Sequence, residues 1–210
     1  MNRNKLLLAI LVPVAAVSLQ GCLGAVAVGA GAAAVSANDR RSTGAQVDDE
    51  SIELRASARI GDTYGERVHV NVTSYNGTAL LTGEVPDQAT RENCEKLTLG
   101  VPKVRSVVNE LQIAGLSSLP ARSNDTYITS KVKTRFFDAA LFDPLHVKVV
   151  TEAGTVYLMG IVTEKEAADA VEIARTTGGV LKVVKVFEYC QPTDEACRPR
   201  EEPKAKPSKS

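Results

Sequence analysis

Four cysteines and two histidines carry most of the chemistry open to this 210-residue chain. Cys22 closes the run Leu19-Gln20-Gly21-Cys22, directly after an apolar stretch from Leu6 to Leu19 that follows basic Arg3 and Lys5. A basic start, an apolar stretch and small residues before a cut form the grammar of a secretory leader. The stretch is shorter than the roughly 20 residues needed to span a bilayer. A signal peptide over residues 1–21 is therefore expected, with Cys22 as the new N-terminus and the acceptor of lipid. The alternative is an ordinary cleaved leader that leaves Cys22 a thiol.

The other candidates assemble no catalytic set. His69 and His146 lack a Cys, Asp or Glu at metal or triad spacing and read as solvent-facing strand residues. No metal, cofactor or enzymatic activity is expected. Cys94 falls on the inward stripe of its helix and reads as a small buried hydrophobe. Cys190 and Cys197 sit close enough for a local disulfide, and a compartment outside the cytoplasm permits one; Cys-x-x-Cys redox spacing is absent. The Gly-rich segment 24–31 has no strand before it and no Lys-Ser or Lys-Thr after it, so it is no phosphate loop. With 25 basic and 25 acidic residues, no global field draws the chain to nucleic acid. Trp is absent and aromatic content is 4%, so the core must be built from Val, Ile, Leu and Ala.

The elements that position these residues come twice. Ala79-Leu80-Leu81-Thr82-Gly83-Glu84-Val85 matches Val156-Tyr157-Leu158-Met159-Gly160-Ile161-Val162 at an offset of 77 residues, the same step that leads from His69 to His146. Each copy reads as helix, strand, strand, helix, strand. In the first, Ile52, Ala56 and Ile60 recur every four residues behind Asp48, Asp49 and Glu50, which suit a helix start. In the second, Asn124 or Asp125 is expected to cap Ile128, Val132 and Phe136. Val68, Val70 and Val72 alternate with polar residues, and Asn76-Gly77 closes a hairpin into Thr78–Val85. Asp87 and Thr163 open second helices that are expected to stop at Gly100 and Gly178-Gly179. Final strands are expected over Val104 to Ile113 and Val183 to Tyr189, the last pairing parallel by a right-handed crossover. Gly83 and Gly160, inside strands, imply close backbone approach. Val180, Val183, Val184 and Val186 supply more apolar surface than one thin sheet face needs, which implies that the two sheets or helices contact each other.

The Leu-x-Gly-Cys run resembles the lipobox of bacterial lipoproteins, with Gln20 where a smaller residue is usual; Leu23 after the cysteine, not Asp, implies an outer-membrane address. The element order, Gly83-Glu84-Val85 and Gly160-Ile161-Val162 at the hairpin exits, and Gly100-Val101 and Gly179-Val180 after the second helices resemble BON domains. Two in tandem behind a lipobox, the second opened by Asn124-Asp125-Thr126, resemble the dual-BON outer-membrane lipoproteins of the DolP (YraP) family over residues 45–189. The expected fold is α+β, each domain an α-β-β-α-β unit with a small three-stranded mixed sheet on two helices. The expected organisation is leader 1–21, lipidated Cys22 and flexible tether 22–46, first domain 47–114, linker 115–123, second domain 124–190 and a disordered charged tail 191–210. The tail, with Cys190 and Cys197, departs from the family.

Because the repeats control for each other, their first helices can be compared directly. Residues 125–137 carry three basic and one acidic residue, whereas residues 49–61 carry two basic and three acidic. With Ile128, Val132 and Phe136 turned inward, Tyr127, Ser130, Thr134 and Phe137 face outward, flanked by Lys131 and Lys133. Aromatics beside lysines suit an anionic bilayer surface; Phe137 packing under the loop with Leu141 and Phe142 is the plainer alternative. The resemblance implies that this helix binds anionic phospholipid such as phosphatidylglycerol or cardiolipin, with a lipid-anchored periplasmic location, a role in envelope integrity and enrichment at division sites. The competing reading is a scaffold whose BON sheets or first domain engage an envelope or septal protein partner, with Tyr127 and Phe137 as a small hot spot; a periplasmic chaperone is the third.

Overall fold

The computed structural model describes residues 39–194 and 196–197. The leader, Cys22 and the tail beyond residue 197 lie outside the described residues.

In the first repeat, helix α1 spans Thr43–Tyr64, and strands β1 (His69–Tyr75) and β2 (Thr78–Val85) form the hairpin. Helix α2 (Gln88–Leu99) crosses over to strands β3 (Ser106–Asn109) and β4 (Gln112–Ile113). β1 pairs antiparallel with β2, and β2 pairs parallel with both β3 and β4, so the sheet mixes one hairpin with a parallel crossover. The second repeat repeats this with α3 (Leu119–Ala139), β5 (Lys148–Glu152), β6 (Thr155–Val162), α4 (Glu164–Arg175) and β7 (Lys182–Tyr189). β5 pairs antiparallel with β6, and β6 pairs parallel with β7. The fold is the expected α+β one, except that the first sheet has a fourth short strand where Glu110 and Leu111 interrupt the final one.

Three boundaries differ from expectation. α1 starts at Thr43, capped by Ser42, so the tether cannot extend to residue 46. α3 starts at Leu119, capped by Ser118, with Pro120 in its first turn, which leaves a linker shorter than 115–123. α4 ends at Arg175, ahead of Gly178. The misreading of both first helices has one cause. Asp49 and Asp125 are not start signals; each is buried in mid-helix, where its carboxylate accepts from the two amides at its hairpin tip. Asp49 takes Asn76 N at 2.7 Å and Gly77 N at 2.8 Å, and Asp125 takes Ala153 N at 2.9 Å and Gly154 N at 2.8 Å. Asp87 and Thr163 do cap their helices, Thr163 in a full capping box with Glu166.

Each sheet carries its helices on one face. Ile52, Ala56 and Ile60 pack on the first sheet, Ile128, Val132 and Phe136 on the second. Cys94, on the inner side of α2, is fully buried, and burial pushes its thiol up to about 11. The opposite sheet faces share a core: Tyr75, Leu80 and Val108 of the first repeat join Tyr157, Met159, Ile161, Val184 and Val186 of the second. Cys190 and Cys197, bonded to each other, close over this core. The central strands β2 and β6 are thus covered on both faces and buried along nearly their whole length.

The glycines in those strands answer a backbone constraint. A Cβ on Gly160 would lie 2.2 Å from the His146 carbonyl oxygen, and one on Gly83 would lie 2.0 Å from that of His69. Consecutive arginines add a staple between the repeats. Arg41 pairs with Asp49 at 2.7 Å, while Arg40 reaches Glu166 at 2.7 and 2.9 Å and the Ile161 carbonyl at 2.9 Å.

Candidate functional site

α3 presents two surfaces that the sequence reading treated as one. Its inward stripe is fixed by Ile128, Val132 and Phe136, which turns Tyr127, Ser130, Thr134 and Phe137 to solvent. Tyr127 is 63% and Phe137 62% exposed. Phe137 does not tuck under the following loop. Phe142 takes that place, meeting Phe136 edge-on at 5.1 Å, and Leu141 stays exposed as well.

Tyr127, Ser130, Lys131 and Thr134 line a shallow groove of about 470 Å³ between α3 and the turn at Thr176–Gly178. The Lys131 ammonium lies 4.6 Å from the centre of the Tyr127 ring and donates to the Gly178 carbonyl. Arg135 completes the groove wall, its guanidinium donating to the Ile173 carbonyl at 2.8 Å and to Thr177 Oγ1 at 2.7 Å. The groove therefore combines an aromatic wall with two cations whose positions are held by backbone acceptors. Arg135 was missed as a site residue because its position on the helix reads as flanking; only the packing of α4 turns it to the groove. Lys133 is not part of this arrangement. It lies on the other flank of α3, along a cleft that also includes Arg122 and, from the first repeat, His69 and Asn71. Phe137 stands apart at the C-terminal end of the helix.

The histidines are not solvent-facing. His69 is partly buried at the edge of the contact with the second repeat, Asn71 beside it stays exposed, and His146 sits in a 3-10 turn, Pro144–His146, rather than in a strand. His69 Nδ1 lies 3.0 Å from Glu84 Oε2 and 4.0 Å from Glu152 Oε1. Asn71 donates to Glu152 Oε2 at 2.9 Å. Burial pushes the Glu152 carboxyl above its ordinary range, although the Asn71 hydrogen bond opposes it. His146 Nδ1 stands 3.6 Å from Glu166, beyond hydrogen-bond length, and burial together with the Arg40 charge lowers its pKa. Spacing along the chain could not reveal these carboxylate partners, since all three come from other strands or helices.

No helix among the described residues is long and apolar enough to cross a membrane. Two tandem α-β-β-α-β units packed sheet to sheet define a double BON architecture, and the BON domain pattern matches residues 48–115 and 124–191. The chain belongs to the BON-domain family, and within it to the dual-BON outer-membrane lipoproteins of the DolP kind. It is 39% identical over 177 residues to the outer membrane lipoprotein DolP of Haemophilus influenzae, covering 83% of this chain and 92% of that protein. It is 35% identical to a 21 kDa hemolysin of Actinobacillus pleuropneumoniae, covering 73% and 80%. To the osmotically-inducible protein Y of Escherichia coli it is 30% identical, covering 65% and 70%.

Proposed function

We propose that this outer-membrane BON lipoprotein is a non-catalytic reader of anionic phospholipid, held at the membrane by lipid on Cys22 and reading headgroups with α3. The observation that carries the reading is the exposed pair Tyr127 and Phe137 on the same helix as Lys131 and Arg135. Aromatic rings settle at headgroup depth, and each nearby cation contributes about 1 kcal/mol against an anionic surface. Phosphatidylglycerol and cardiolipin fit by charge. Since acyl chains already supply residence at about 0.8 kcal/mol per buried CH₂, the helix supplies selectivity. Such selectivity would enrich the protein where anionic lipid gathers, including division sites, and would serve envelope integrity there.

The test is vesicle flotation of the chain carrying Cys22→Ser, which removes the anchor. Flotation with phosphatidylglycerol vesicles but not zwitterionic ones, falling with salt and lost in Tyr127→Glu, is the expected result. Equal behaviour on both vesicles, or no flotation, sinks the lipid reading and makes the same aromatic face a protein-docking surface.

A further inference from the structure

At one end of the interface between the repeats, three side chains that bind metal ions converge, and they come from both domains. His69 opens β1, Glu84 lies near the end of β2, and Glu152 ends β5. One ligand atom from each lies within 4.8 Å of the other two, and among the described residues this is the one such group.

The repeat itself argues that this is a built site and not a requirement of the fold. The step that leads from His69 to His146 leads from Glu84 to Ile161 and from Tyr75 to Glu152. Ile161 and Tyr75 belong to the apolar core between the sheets. Where the interface needs only packing, it uses isoleucine and tyrosine. At the related positions beside His69 it buries two carboxylates, each 5% exposed. Burying like charges side by side is costly without a compensating cation.

Local contacts leave that compensation incomplete. Glu84 Oε2 accepts from Ser117 N at 3.2 Å and faces His69. Glu152 has one oxygen engaged by Asn71, while the other points toward His69 across 4.0 Å, too far for a hydrogen bond. Arg122 and Lys133 line the adjacent cleft, yet among the described residues neither pairs with Glu84 or Glu152, and the Arg122 guanidinium donates instead to Ser117 Oγ at 3.0 Å.

We propose that His69, Glu84 and Glu152 bind a divalent cation of the zinc type, joining the two BON domains. One imidazole nitrogen and two carboxylate oxygens form a three-ligand set suited to zinc; the imidazole disfavours calcium and magnesium, and the absence of thiolate disfavours copper(I). Tetrahedral zinc with bonds of about 2.0–2.2 Å spaces its ligand atoms about 3.3–3.5 Å apart. The observed 3.0 and 4.0 Å bracket that spacing, so small side-chain rotations complete the site. Asn71, bonded to Glu152 and 3.4 Å from His69 Nε2, orients both ligands from behind. A cleft of about 520 Å³ touching His69 and Glu152 provides entry and room for a water in the fourth position. This inference is independent of lipid binding by α3.

The test is zinc titration of the full-length protein in detergent micelles after removal of metal, read by competition with a chromophoric chelator. Cobalt substitution supplies a visible-absorption signature of the ligand set. The expected result is about one zinc per chain, with affinity at least about tenfold weaker in His69→Gln and Glu152→Gln and unchanged in His146→Gln. Melting supplies a readout that survives any folding defect. Without metal, Glu152→Gln should be at least as stable as the parent; with zinc, only the parent should gain, so their order reverses. Zinc binding that is equal in parent and Glu152→Gln, or absent from the parent, overturns the proposal.

Discussion

Asp49 and Asp125 hold the two hairpin tips in the same way: each carboxylate, buried in the middle of a first helix, accepts from two successive amides of the turn. The relation couples a helix to the turn it packs on, which fixes the register of the hairpin beneath it. Asp49 carries more, since Ser74 Oγ and Arg41 also bind it at 2.7 Å. Removing either acceptor strands buried amides. Asp125→Ala should therefore cost about 2–4 kcal/mol and Asp49→Ala more, measured by urea unfolding.

The same contacts set an acid limb. Burial raises the Asp49 pKa, but hydrogen bonds from Ser74, Gly77, Arg41 and Asn76 together outweigh it, so the folded value lies below 3.8. A carboxylate lowered on folding stabilises fully above its unfolded value and loses that contribution as pH falls through the folded one. Glu166, lowered to about 2 by Arg40 and Thr163 against its own burial, behaves alike. Stability should fall below about pH 4, and Asp49→Asn should flatten that fall while lowering stability at pH 7.

His146 gives a separate signal. Burial first, then the Arg40 charge, lowers its pKa from 6.5, so it is neutral in the folded protein at pH 7. Its contribution is complete above the unfolded value and declines as pH drops below 6.5 toward the folded one. Arg40→Gln removes one of the lowering causes and should move the His146 titration upward in an NMR experiment. An unchanged titration would mean that burial alone sets it.

Gly160 and Gly178 make opposite predictions for one substitution. Alanine at Gly160 would press a methyl against the His146 carbonyl at 2.2 Å, whereas a Cβ at Gly178 meets nothing within 4 Å. Gly160→Ala should cost about 3 kcal/mol. Gly178→Ala should change stability by less than about 1 kcal/mol.

How far these features were legible in the sequence varies with how local their causes are. The repeat, the hairpins, the inward stripes of both first helices and the constraint on Gly83 and Gly160 follow from periodicity and from glycine in apolar runs. Asp49 and Asp125 misled because acids near a helix start are a common local signal, while their partners lie in turns reached only by folding. A sign was present: both stand in constant register with Ile52 and Ile128, inside the helical stripe rather than before it. Glu84 was legible too, as a carboxylate in a strand whose twin reads Ile161. What chain order could not show is that Glu152 would meet it, because that depends on two sheets packing face to face. The groove on α3 was half legible: its outward residues followed from helical period, but the parting of Lys131 from Lys133 and the recruitment of Arg135 depend on where α4 ends.

The shared core between the sheets carries the last prediction. Met159 is fully buried on β6 and packs in the cluster with Leu80 and Tyr75 of the other repeat. A cavity there removes contacts from both domains at once, so Met159→Ala should cost about 2–5 kcal/mol. If the interface is as cohesive as its burial implies, the two BON domains melt together, and calorimetry should give one transition in the parent and one, at lower temperature, in the variant. Two transitions in the parent, with only the second domain's shifted in Met159→Ala, would show that each domain holds its fold without the other. The cluster between them would then be a docking surface rather than a common core.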